Sequence, residues 1–399
     1  MGNRTVLISG AGVAGPTLAY WLARHGFHPT LVERAGALRS SGSPVDVRGP
    51  AVAVAERMGI MGALRDAATD VSDLIFVDRA GKRVGRIDMR AFQGAGGRVE
   101  VEIPRGDLAS ILFEASRASA EILFGDSIVA LTQDEGGVDV TFERGPCRRF
   151  DLVIGADGLH SAVRRIAFGP ERELAEHMGM YVATCPLPGS NENPREVVMY
   201  NEPGMAVAIH PSRGRALAFF MVRSPELASF DSNDVEGNKR FLADALASAG
   251  WRVPDILRRV ASSDELYFDS VSRVRVPRWS NGRIALLGDA ASCVSLFGDG
   301  SSMAIAGAYT LAEALAAAPN DHRAAFARYE AEHRKLVDPK QRNATTAASL
   351  LMPSTRWGIA ARNLATRLWP LGAAASWLQR RFSSEGVSRA SEGARPSAS

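Results

Sequence analysis

The chain has 399 residues, of which 46% are hydrophobic and 23% are charged, a usage typical of globular domains. This length predicts two or three domains with large apolar cores, and it excludes a disulfide mini-protein, a collagen-like chain and a wholly disordered one. The 47 Lys and Arg residues exceed the 44 Asp and Glu residues by three. That excess is too small and too scattered to predict nucleic acid as a partner.

The cysteines and histidines show no spacing typical of a metal site or a disulfide framework. Cys147, Cys185 and Cys293 are far apart and form no CxxC pair, which favours a reducing compartment. Residues 1–5 lead directly into an apolar strand without a secretory leader. No stretch is long and uncharged enough to span a bilayer. These observations predict a cytoplasmic protein without a bound metal.

The first 33 residues are predicted to form a strand, a helix and a second strand. Residues 6–8 are a short apolar, β-branched run, and glycines follow at positions 10, 12 and 15. Pro16 fits a first helical turn, where its missing N–H would be unpaired anyway. Apolar residues continue at helical spacing as far as Gly26, and residues 28–33 have the pattern of the next strand.

Residues 10–15 match the pattern G-x-G-x-x-G between a strand and a helix. Gly10 permits a tight turn there, Gly12 lets the backbone approach a pyrophosphate, and Gly15 lets helix and strand pack closely. The helix N-terminus offers free N–H groups to the phosphates. Glu33 can accept hydrogen bonds from ribose hydroxyls and disfavours a 2′-phosphate, so NADP is not expected in this loop. The loop alone leaves FAD and NAD open.

Two later strand patterns each end in a turn that contains glycine and aspartate. Residues 151–158 end in Gly155-Ala-Asp157-Gly158, and residues 284–289 end in Gly288-Asp289. With the glycine loop, these motifs resemble the class A flavoprotein monooxygenases, the para-hydroxybenzoate hydroxylase-like group that includes tetracycline-inactivating enzymes. That group carries the FAD signatures GxGxxG, DG and GD in this order. The resemblance spans residues 1 to about 320.

The resemblance implies bound FAD and a transient NAD(P)H reductant. Asp289 would contact the ribityl hydroxyls, residues 298–300 would face the flavin pyrimidine, and Asp157 would lie near the pyrophosphate and the nicotinamide. Arg105 matches an arginine that contacts FAD, whereas Asp46 and Arg39 resemble the FAD-contacting acid and NADPH-contacting arginine of tetracycline-inactivating members. The candidate cofactor-binding residues are Gly10, Gly12, Val13, Ala14, Gly15, Glu33, Arg34, Arg39, Asp46, Arg48, Arg105, Asp157, Gly288, Asp289, Gly298, Gly300 and Ser301.

The loop after the GD motif departs from the family pattern. Ser292 takes the position of a common histidine, and Ser295 and Leu296 replace a proline pair. The usual Gly-Gln-Gly is replaced by Gly-Asp-Gly at 298–300, one residue closer. The loop contacts of the family therefore do not transfer in detail.

The predicted fold is α/β, with a discontinuous Rossmann-like FAD-binding domain, an inserted, mainly antiparallel β-sheet substrate domain and C-terminal helices. Runs at 205–210 and 216–222 flank turn residues and predict antiparallel strands. Helices are expected at 237–249 and 303–318. The predicted divisions are 1–175 for the first part of the FAD-binding domain, including some substrate-domain strands near 72–105, 176–277 for the substrate domain, 278–340 for the last part of the FAD-binding domain, 341–382 for a C-terminal helical segment, and 383–399 for a disordered tail.

The inserted sheet supplies the candidate substrate contacts Met199, His210, Phe219 and Met221. A core position is the favoured alternative for the methionines and the phenylalanine, and a surface position at a strand end is favoured for His210. Residues 350–382 combine arginines with apolar residues. They predict either an amphipathic membrane-surface or partner helix or, as the favoured interpretation, a helix bracing the two domains, interrupted at Pro353 and Pro370.

The resemblance implies a monooxygenase that uses NAD(P)H and O₂ to hydroxylate a small aromatic or polyketide-like molecule through a flavin C4a-hydroperoxide. Biosynthesis or inactivation of a tetracycline-like antibiotic is the implied setting. Two alternatives stay open: an FAD-dependent reductase or dehydrogenase of the same fold, and a flavoprotein that sequesters an aromatic ligand. The expected partners are an aromatic or polycyclic substrate and O₂, with no nucleic acid and no membrane span, in a monomer or homodimer.

Overall fold

The structure is a computed structural model of the whole chain, and it describes residues 4–38, 42–89, 100–189, 193–212, 215–227, 230–293 and 299–368. Side chains are described for the same residues except 343–351, 367 and 368. Arg39 and Gly298 from the candidate list, and most of the loop after the GD motif, lie outside this part of the chain.

The described residues contain eighteen strands, which we number in chain order. They are β1 (Arg4–Ser9), β2 (Phe27–Glu33), β3 (Val45–Val47), β4 (Asp73–Val77), β5 (Arg83–Asp88), β6 (Val101–Ile103), β7 (Glu121–Phe124), β8 (Ile128–Gln133), β9 (Val138–Phe142), β10 (Arg148–Phe150), β11 (Leu152–Gly155), β12 (Ala175–Leu187), β13 (Glu196–Glu202), β14 (Met205–Ser212), β15 (Arg215–Arg223), β16 (Tyr267–Val274), β17 (Ser280–Asn281) and β18 (Ile284–Leu286).

The same residues contain twelve helices. They are α1 (Ala14–Arg24), α2 (Pro50–Met58), α3 (Met61–Asp66), α4 (Arg105–Arg117), α5 (Ala162–Ala167), α6 (Glu171–Leu174), α7 (Val235–Ala245), α8 (Val253–Ala261), α9 (Asp289–Ser292), α10 (Asp299–Ala317), α11 (His322–Leu351) and α12 (Arg356–Leu368).

A six-stranded sheet forms the first layer, in the order β17-β18-β11-β1-β2-β7. All its strands are parallel except β17, and the register places Ile8 opposite Leu31 on one side and Ile154 on the other. All three side chains are fully buried, as expected for a parallel sheet covered on both faces. Helix α1 packs on β1 and β2 of this sheet, and α4 and α10 pack against α1.

A seven-stranded sheet, in the order β16-β12-β15-β14-β13-β4-β5, forms the second layer. Its strands are antiparallel except for the parallel pair β13 and β4. One face packs with the apolar side chains of α7 and α8, including Leu242 and Val253. The other face carries Phe76, Met199 and Met221, and α12 packs beside it on β5 and β13.

The observed elements agree with most of the strands and helices expected from the sequence. β14 and β15 are antiparallel as predicted, α7 ends at Ala245, earlier than expected, and α10 begins at Asp299, earlier than expected. The three-stranded sheet β10-β9-β8 and the ribbon β3-β6 were not expected. β4 and β5 join the seven-stranded sheet, but the proposed domain limits stay predictions.

The helical segment at the end of the described part of the chain is interrupted at Pro353, as the sequence predicts. α11 ends at Leu351 and α12 begins at Arg356, with Pro353 between them, because proline lacks the N–H that would continue the helix. Within the described residues, no helix is both long enough and apolar enough to cross a membrane.

Candidate functional site

The glycine loop and the two glycine–aspartate turns meet at one edge of the six-stranded sheet. β1, β2, β11 and β18 run parallel, so their carboxyl ends share that edge, and the strand order reverses between β1 and β11. Ligands of open α/β sheets bind at such a point. A Cβ atom built on Gly10 would lie 2.5 Å from the carbonyl oxygen of Ala156, and one on Gly288 would lie 3.2 Å from Cβ of Ala14. The three turns therefore form one contiguous site.

The three glycines of the loop meet different surroundings. Gly10 has a φ of +104°, which a residue with a side chain rarely adopts. A Cβ atom on Gly15 would collide with the carbonyl oxygen of Gly10, whereas one on Gly12 would meet nothing within 4 Å. Gly10 and Gly15 therefore allow the loop to pack, whereas Gly12 borders open space.

The first turn of α1 borders the same loop and has unpaired donors. Val13 is the N-cap residue and Ala14 the first helical residue, and the cap makes no side-chain hydrogen bond. The turn carries no acidic side chain. Its backbone N–H groups have no intrahelical partner, so they can bind an anionic group.

Glu33 lies at the end of β2, beside the glycine loop. Its Oε2 atom accepts a hydrogen bond from the Ala11 backbone at 2.9 Å, and its Oε1 atom accepts one from the Ala35 backbone at 3.0 Å. Each oxygen keeps a further lone pair. Arg34, the next residue, is exposed. The carboxylate thus stabilises the loop and can still accept a hydrogen bond from a hydroxyl group.

Asp157 of the DG motif caps a helix. Its Oδ2 atom accepts hydrogen bonds from the backbones of Ala162 at 2.9 Å and Val163 at 3.2 Å, and its Oδ1 atom accepts one from the Ser161 hydroxyl. The Ser9 hydroxyl, at the end of β1, lies 3.3 Å from Oδ2. The carboxylate therefore joins α5 to β1 and shapes the turn through its backbone.

Asp289 of the GD motif and Arg105 of α4 share an electrostatic environment. Burial raises the pKa of the Asp289 carboxyl, and the charge of Arg105 opposes that change. Burial lowers the pKa of Arg105, but Tyr267 and Asp289 outweigh it, so the net change is upward. The Arg105 side chain is nevertheless exposed to solvent, which leaves a cation available to a phosphate or a flavin oxygen.

The start of α10 is joined to the β3 strand by ion pairs and hydrogen bonds. Arg48 pairs with Asp46 and lies 3.4 Å from Asp299, which in turn lies 2.6 Å from Nζ of Lys340. The hydroxyl of Ser301 donates to the backbone carbonyl of Asp46 at 2.7 Å. The Asp46 carboxylate is thus paired within the protein. Arg48 was predicted to bind the cofactor, and the sequence did not reveal that it pairs with Asp46 and Asp299.

Gly300 places the same helix beside the GD motif. A Cβ atom built on it would lie 3.5 Å from Oδ1 of Asp289. The first turn of α10 therefore borders the site formed by the three turns, and the candidate pair Gly300 and Ser301 lies there.

Sequence reasoning missed a group of charged and polar side chains behind the DG and GD turns. Arg164 is fully buried, and Nε2 of His160 lies 3.0 Å from Oδ1 of Asp269. Tyr267 donates to the same carboxylate at 3.3 Å. Two features of the sequence could have indicated this group. His160 follows the DG motif directly, and Tyr267 and Asp269 are polar residues at alternate positions of one strand.

The candidate substrate residues lie on the face of the seven-stranded sheet that α12 borders. Met199 and Met221 are buried in its core, and Phe219 is half-buried against it. The prediction that His210 is a surface residue is wrong, because its side chain is 12% exposed and Nε2 lies 3.1 Å from Glu102. β14 extends to Ser212 and the β3–β6 ribbon covers that end, a contact between segments distant in sequence.

Helix α12 is attached to that sheet through Arg362. Its guanidinium lies 3.8 Å from the centre of the Phe76 ring and donates to the amide oxygen of Asn201 at 3.1 Å. Burial lowers the pKa of Arg362 to about 10. These contacts attach α12 to the seven-stranded sheet, whereas bracing of the two domains stays a prediction, and Trp357 on the same helix is 87% exposed.

The residues at the three turns fit FAD. The open space at Gly12 and the uncapped first turn of α1 suit a pyrophosphate, the exposed Arg105 offers a compensating charge, and Asp289 offers acceptors for hydroxyl groups. The site extends from β2 to the first turn of α10, which suits an elongated dinucleotide.

Comparison with known proteins points to the same cofactor. The model of the FAD binding domain family matches residues 3–343. A flavin-dependent monooxygenase of Legionella longbeachae is 38% identical over 346 residues, which cover 85% of this chain and 87% of the relative. An uncharacterised protein of Mycobacterium tuberculosis strain H37Rv is 42% identical over 344 residues, which cover 85% and 92%.

The fold is also similar to that of a solved enzyme. The crystal structure of the tetracycline destructase Tet(51) superimposes with a TM-score of 0.81 at 30% identity, covering 96% of this chain and 100% of that one. Because a family model matches more than half of the chain and a monooxygenase is 38% identical to it, this chain belongs to the FAD binding domain family and is an FAD-dependent monooxygenase.

Proposed function

We propose that this monooxygenase hydroxylates a polycyclic, polyketide-like substrate of the tetracycline class. The observation that carries the proposal is the similarity to tetracycline destructase Tet(51) over nearly the whole chain. The half-buried Phe219 on the apolar face of the seven-stranded sheet supports it, because a fused-ring molecule needs an apolar wall, whereas Met199 and Met221 are buried in the core of that face. His210, paired with Glu102 at one end of this face, would supply a polar contact.

Specific residues would hold the cofactor. The loop Gly10–Gly15 and the first turn of α1 would bind the pyrophosphate. Glu33 would accept a hydrogen bond from a ribose hydroxyl. Asp289 and Arg105 would contact the ribityl and phosphate groups. The first turn of α10, with Gly300 and Ser301, would border the flavin. FAD, when bound, supplies the redox chemistry by accepting hydride from NAD(P)H and activating O₂ for transfer of one oxygen atom to an aromatic or enolic carbon.

The protein would contribute binding, orientation and charge. The helix N-terminus at Ser301 places partial positive charge at the flavin end of the site, and such charge stabilises an electron-rich ring. Arg48 and Lys340 add full charges on either side of Asp299. The α12 helix, held by Arg362, would close one side of the substrate face.

The test is a product analysis with labelled oxygen. Purified protein reconstituted with FAD is incubated with NADPH or NADH and with tetracycline, an anthracycline, a rifamycin or a simple phenol. We expect NAD(P)H consumption to rise with a polycyclic substrate and the product to gain one ¹⁸O atom from ¹⁸O₂. The variant Gly12→Val, which is expected to fold normally but lose FAD, serves as the control.

Other outcomes would replace the proposal. Conversion of the substrate without O₂ would indicate a reductase or dehydrogenase. Tight binding of the substrate without any product would indicate a sequestering flavoprotein, and turnover of the phenol alone would overturn the polycyclic class.

A further inference from the structure

The imidazole of His210 has a partner at one ring nitrogen and none at the other within the described part of the chain. Its Nε2 atom lies 3.1 Å from Oε1 of Glu102, whereas Nδ1 is buried without a hydrogen-bond partner. A buried polar atom without a partner costs about 1–3 kcal/mol, and folded proteins retain few of them. Beside a ligand-binding face, such an atom is a candidate contact for the ligand.

Glu102 determines which ring nitrogen carries the hydrogen. Its Oε1 atom also accepts a hydrogen bond from the Thr69 hydroxyl at 2.5 Å. Burial would raise the pKa of the Glu102 carboxyl, but hydrogen bonds from His210 and Thr69 and the charge of Arg48 outweigh it, so the net change is downward. An ionised carboxylate only accepts hydrogen bonds. Nε2 is therefore the donor, and Nδ1 of the neutral ring has a free lone pair.

His210 lies on the same sheet face as Phe219. On β14, His210 is two residues from Ala208, and alternate residues of a strand point to one face. Ala208 pairs with Phe219 on β15 and with Met199 on β13. Because Phe219 is half-buried, a ring that packs on it would lie beside His210.

The partner of His210 also connects this face to the first turn of α10. Glu102 on β6 lies opposite Asp46 on β3. The backbone carbonyl of Asp46 accepts hydrogen bonds from the hydroxyls of Ser301 and Ser302, each at 2.7 Å. That turn of α10 borders the GD motif. His210 therefore lies where the substrate face approaches the flavin end of the cofactor site.

We propose that His210 is a catalytic residue that accepts, at Nδ1, the proton of an ionisable hydroxyl group of the substrate, and that Glu102 is its positioning residue. This inference rests on the proposed function, because the phenolic and enolic hydroxyls of a polyketide-like ring are the groups that can supply such a proton.

The step transfers one proton and no electrons to the protein. The O–H bond of the substrate breaks, its electron pair stays on the oxygen, and an N–H bond forms at Nδ1. The ionised ring is richer in electrons and accepts an electrophilic oxygen atom more readily. Glu102, at the other nitrogen, compensates the charge of the imidazolium, as an acid does beside a catalytic histidine.

The first test replaces His210 by glutamine in the FAD-loaded protein. The glutamine amide can still donate to Glu102, but it has no atom that takes up a proton at the position of Nδ1. We expect kcat for a polycyclic substrate, measured as ¹⁸O-labelled product, to fall about a hundredfold, with little change in KM or flavin content. His25→Gln is the matched control, because His25 also pairs with a glutamate, Glu313, at 2.9 Å.

The positioning role of Glu102 is tested by the pH profile of kcat. Glu102→Gln keeps an acceptor for Nε2 but removes the negative charge, so the imidazolium should release its proton more easily. We expect the acid limb of the profile to move to lower pH by about one unit. Glu121→Gln is the matched control and should leave the profile unchanged, because Glu121 likewise accepts a threonine hydroxyl, from Thr30 at 3.0 Å.

A spectroscopic readout needs no turnover. An anthracycline is bound to the oxidised, FAD-loaded protein, and the ionisation of its phenol is followed by absorbance as pH rises. In the wild type, the phenol should ionise about one pH unit lower than in the free compound. In His210→Gln, this shift should be absent.

The outcomes separate this inference from the proposed function. If the wild type oxygenates no polycyclic compound, the proposed function is wrong and the inference fails with it. If the wild type oxygenates the substrate and His210→Gln has the same kcat, only the inference is overturned. Where His210→Gln does not fold, the wild type decides, since equal ionisation of bound and free anthracycline would also overturn the inference.

Discussion

The fully buried guanidinium of Arg164 donates to the backbone carbonyl of Ala290 at 3.1 Å. The same side chain donates to the carbonyl of Leu159 at 2.5 Å. Leu159 follows the DG motif and Ala290 follows Asp289, so one arginine joins the two turns by their backbones. Burial lowers the pKa of Arg164, and Glu171, 3.6 Å away, partly compensates its charge.

Replacing Arg164 by methionine should destabilise the apoprotein by about 3 kcal/mol, because two carbonyls and an acid lose their partner in a buried place. Urea unfolding of the apoprotein measures the loss. Arg165→Met is the control, since Arg165 is the next residue and is exposed. Equal unfolding free energies for the two variants would contradict the assigned role of Arg164.

Gly12 and Gly15 should respond differently to the same substitution. Gly12→Val places its side chain in open space, so the chain should fold normally but lose FAD, because the side chain occupies the room of the pyrophosphate. Gly15→Val meets the carbonyl oxygen of Gly10 and should impair folding itself. Circular dichroism and the ratio of flavin to protein absorbance distinguish the two effects. A yellow Gly12→Val protein would show that phosphate binds elsewhere.

Asp289→Ala should weaken FAD binding about tenfold through loss of hydrogen-bond acceptors and leave the chain folded. Asp289→Asn should weaken it less, because burial already raises the pKa of this carboxyl and the amide keeps one acceptor. Flavin fluorescence titration of the apoprotein gives both values. Asp139→Ala, on the three-stranded sheet, is the control, and wild-type affinity in Asp289→Ala would refute the contact.

His333 should make the apoprotein sensitive to acid. Burial lowers the pKa of His333 to about 4, below the value of about 6.5 in an unfolded chain. Below pH 6.5 the unfolded chain binds a proton at this histidine before the folded protein does. The free energy of unfolding is therefore unaffected above pH 6.5 and falls as pH drops towards 4, by about 2 kcal/mol at pH 5. His333→Phe should lose less stability than the wild type between pH 7 and pH 5. If urea unfolding shows that the wild type and His333→Phe lose the same free energy of unfolding between pH 7 and pH 5, His333 does not cause the acid sensitivity.

Much of the cofactor site could be predicted from the sequence because each part is local. The glycine loop, the DG turn and the GD turn each lie within a few residues of a buried strand. Parallel strands bring their carboxyl ends to one edge, so the approximate meeting of these turns was expected. The function of Asp157 could not be predicted, because only the tertiary structure shows that its carboxylate accepts hydrogen bonds from the first turn of α5.

The errors and omissions concern residues whose partners are distant in the chain. His210 has the pattern of a strand end, yet Glu102 of the β3–β6 ribbon covers it. Asp269 is 109 positions from His160, and no periodicity relates them. Sheets of short strands such as β8–β10 also escape prediction, because their hydrogen bonds depend on pairing between segments.

By itself, the sequence determined the strand–turn–helix units and the glycine positions, because backbone sterics and hydrophobic periodicity act over a few residues. The resemblance of its three motifs to a flavoprotein family indicated the kind of cofactor. Only the tertiary structure decided which charged side chains pair, which become buried and which stay open to a ligand. Those properties depend on desolvation and on Coulomb forces between atoms that folding brings together. The pairing of His160 with Asp269 belongs to this second class.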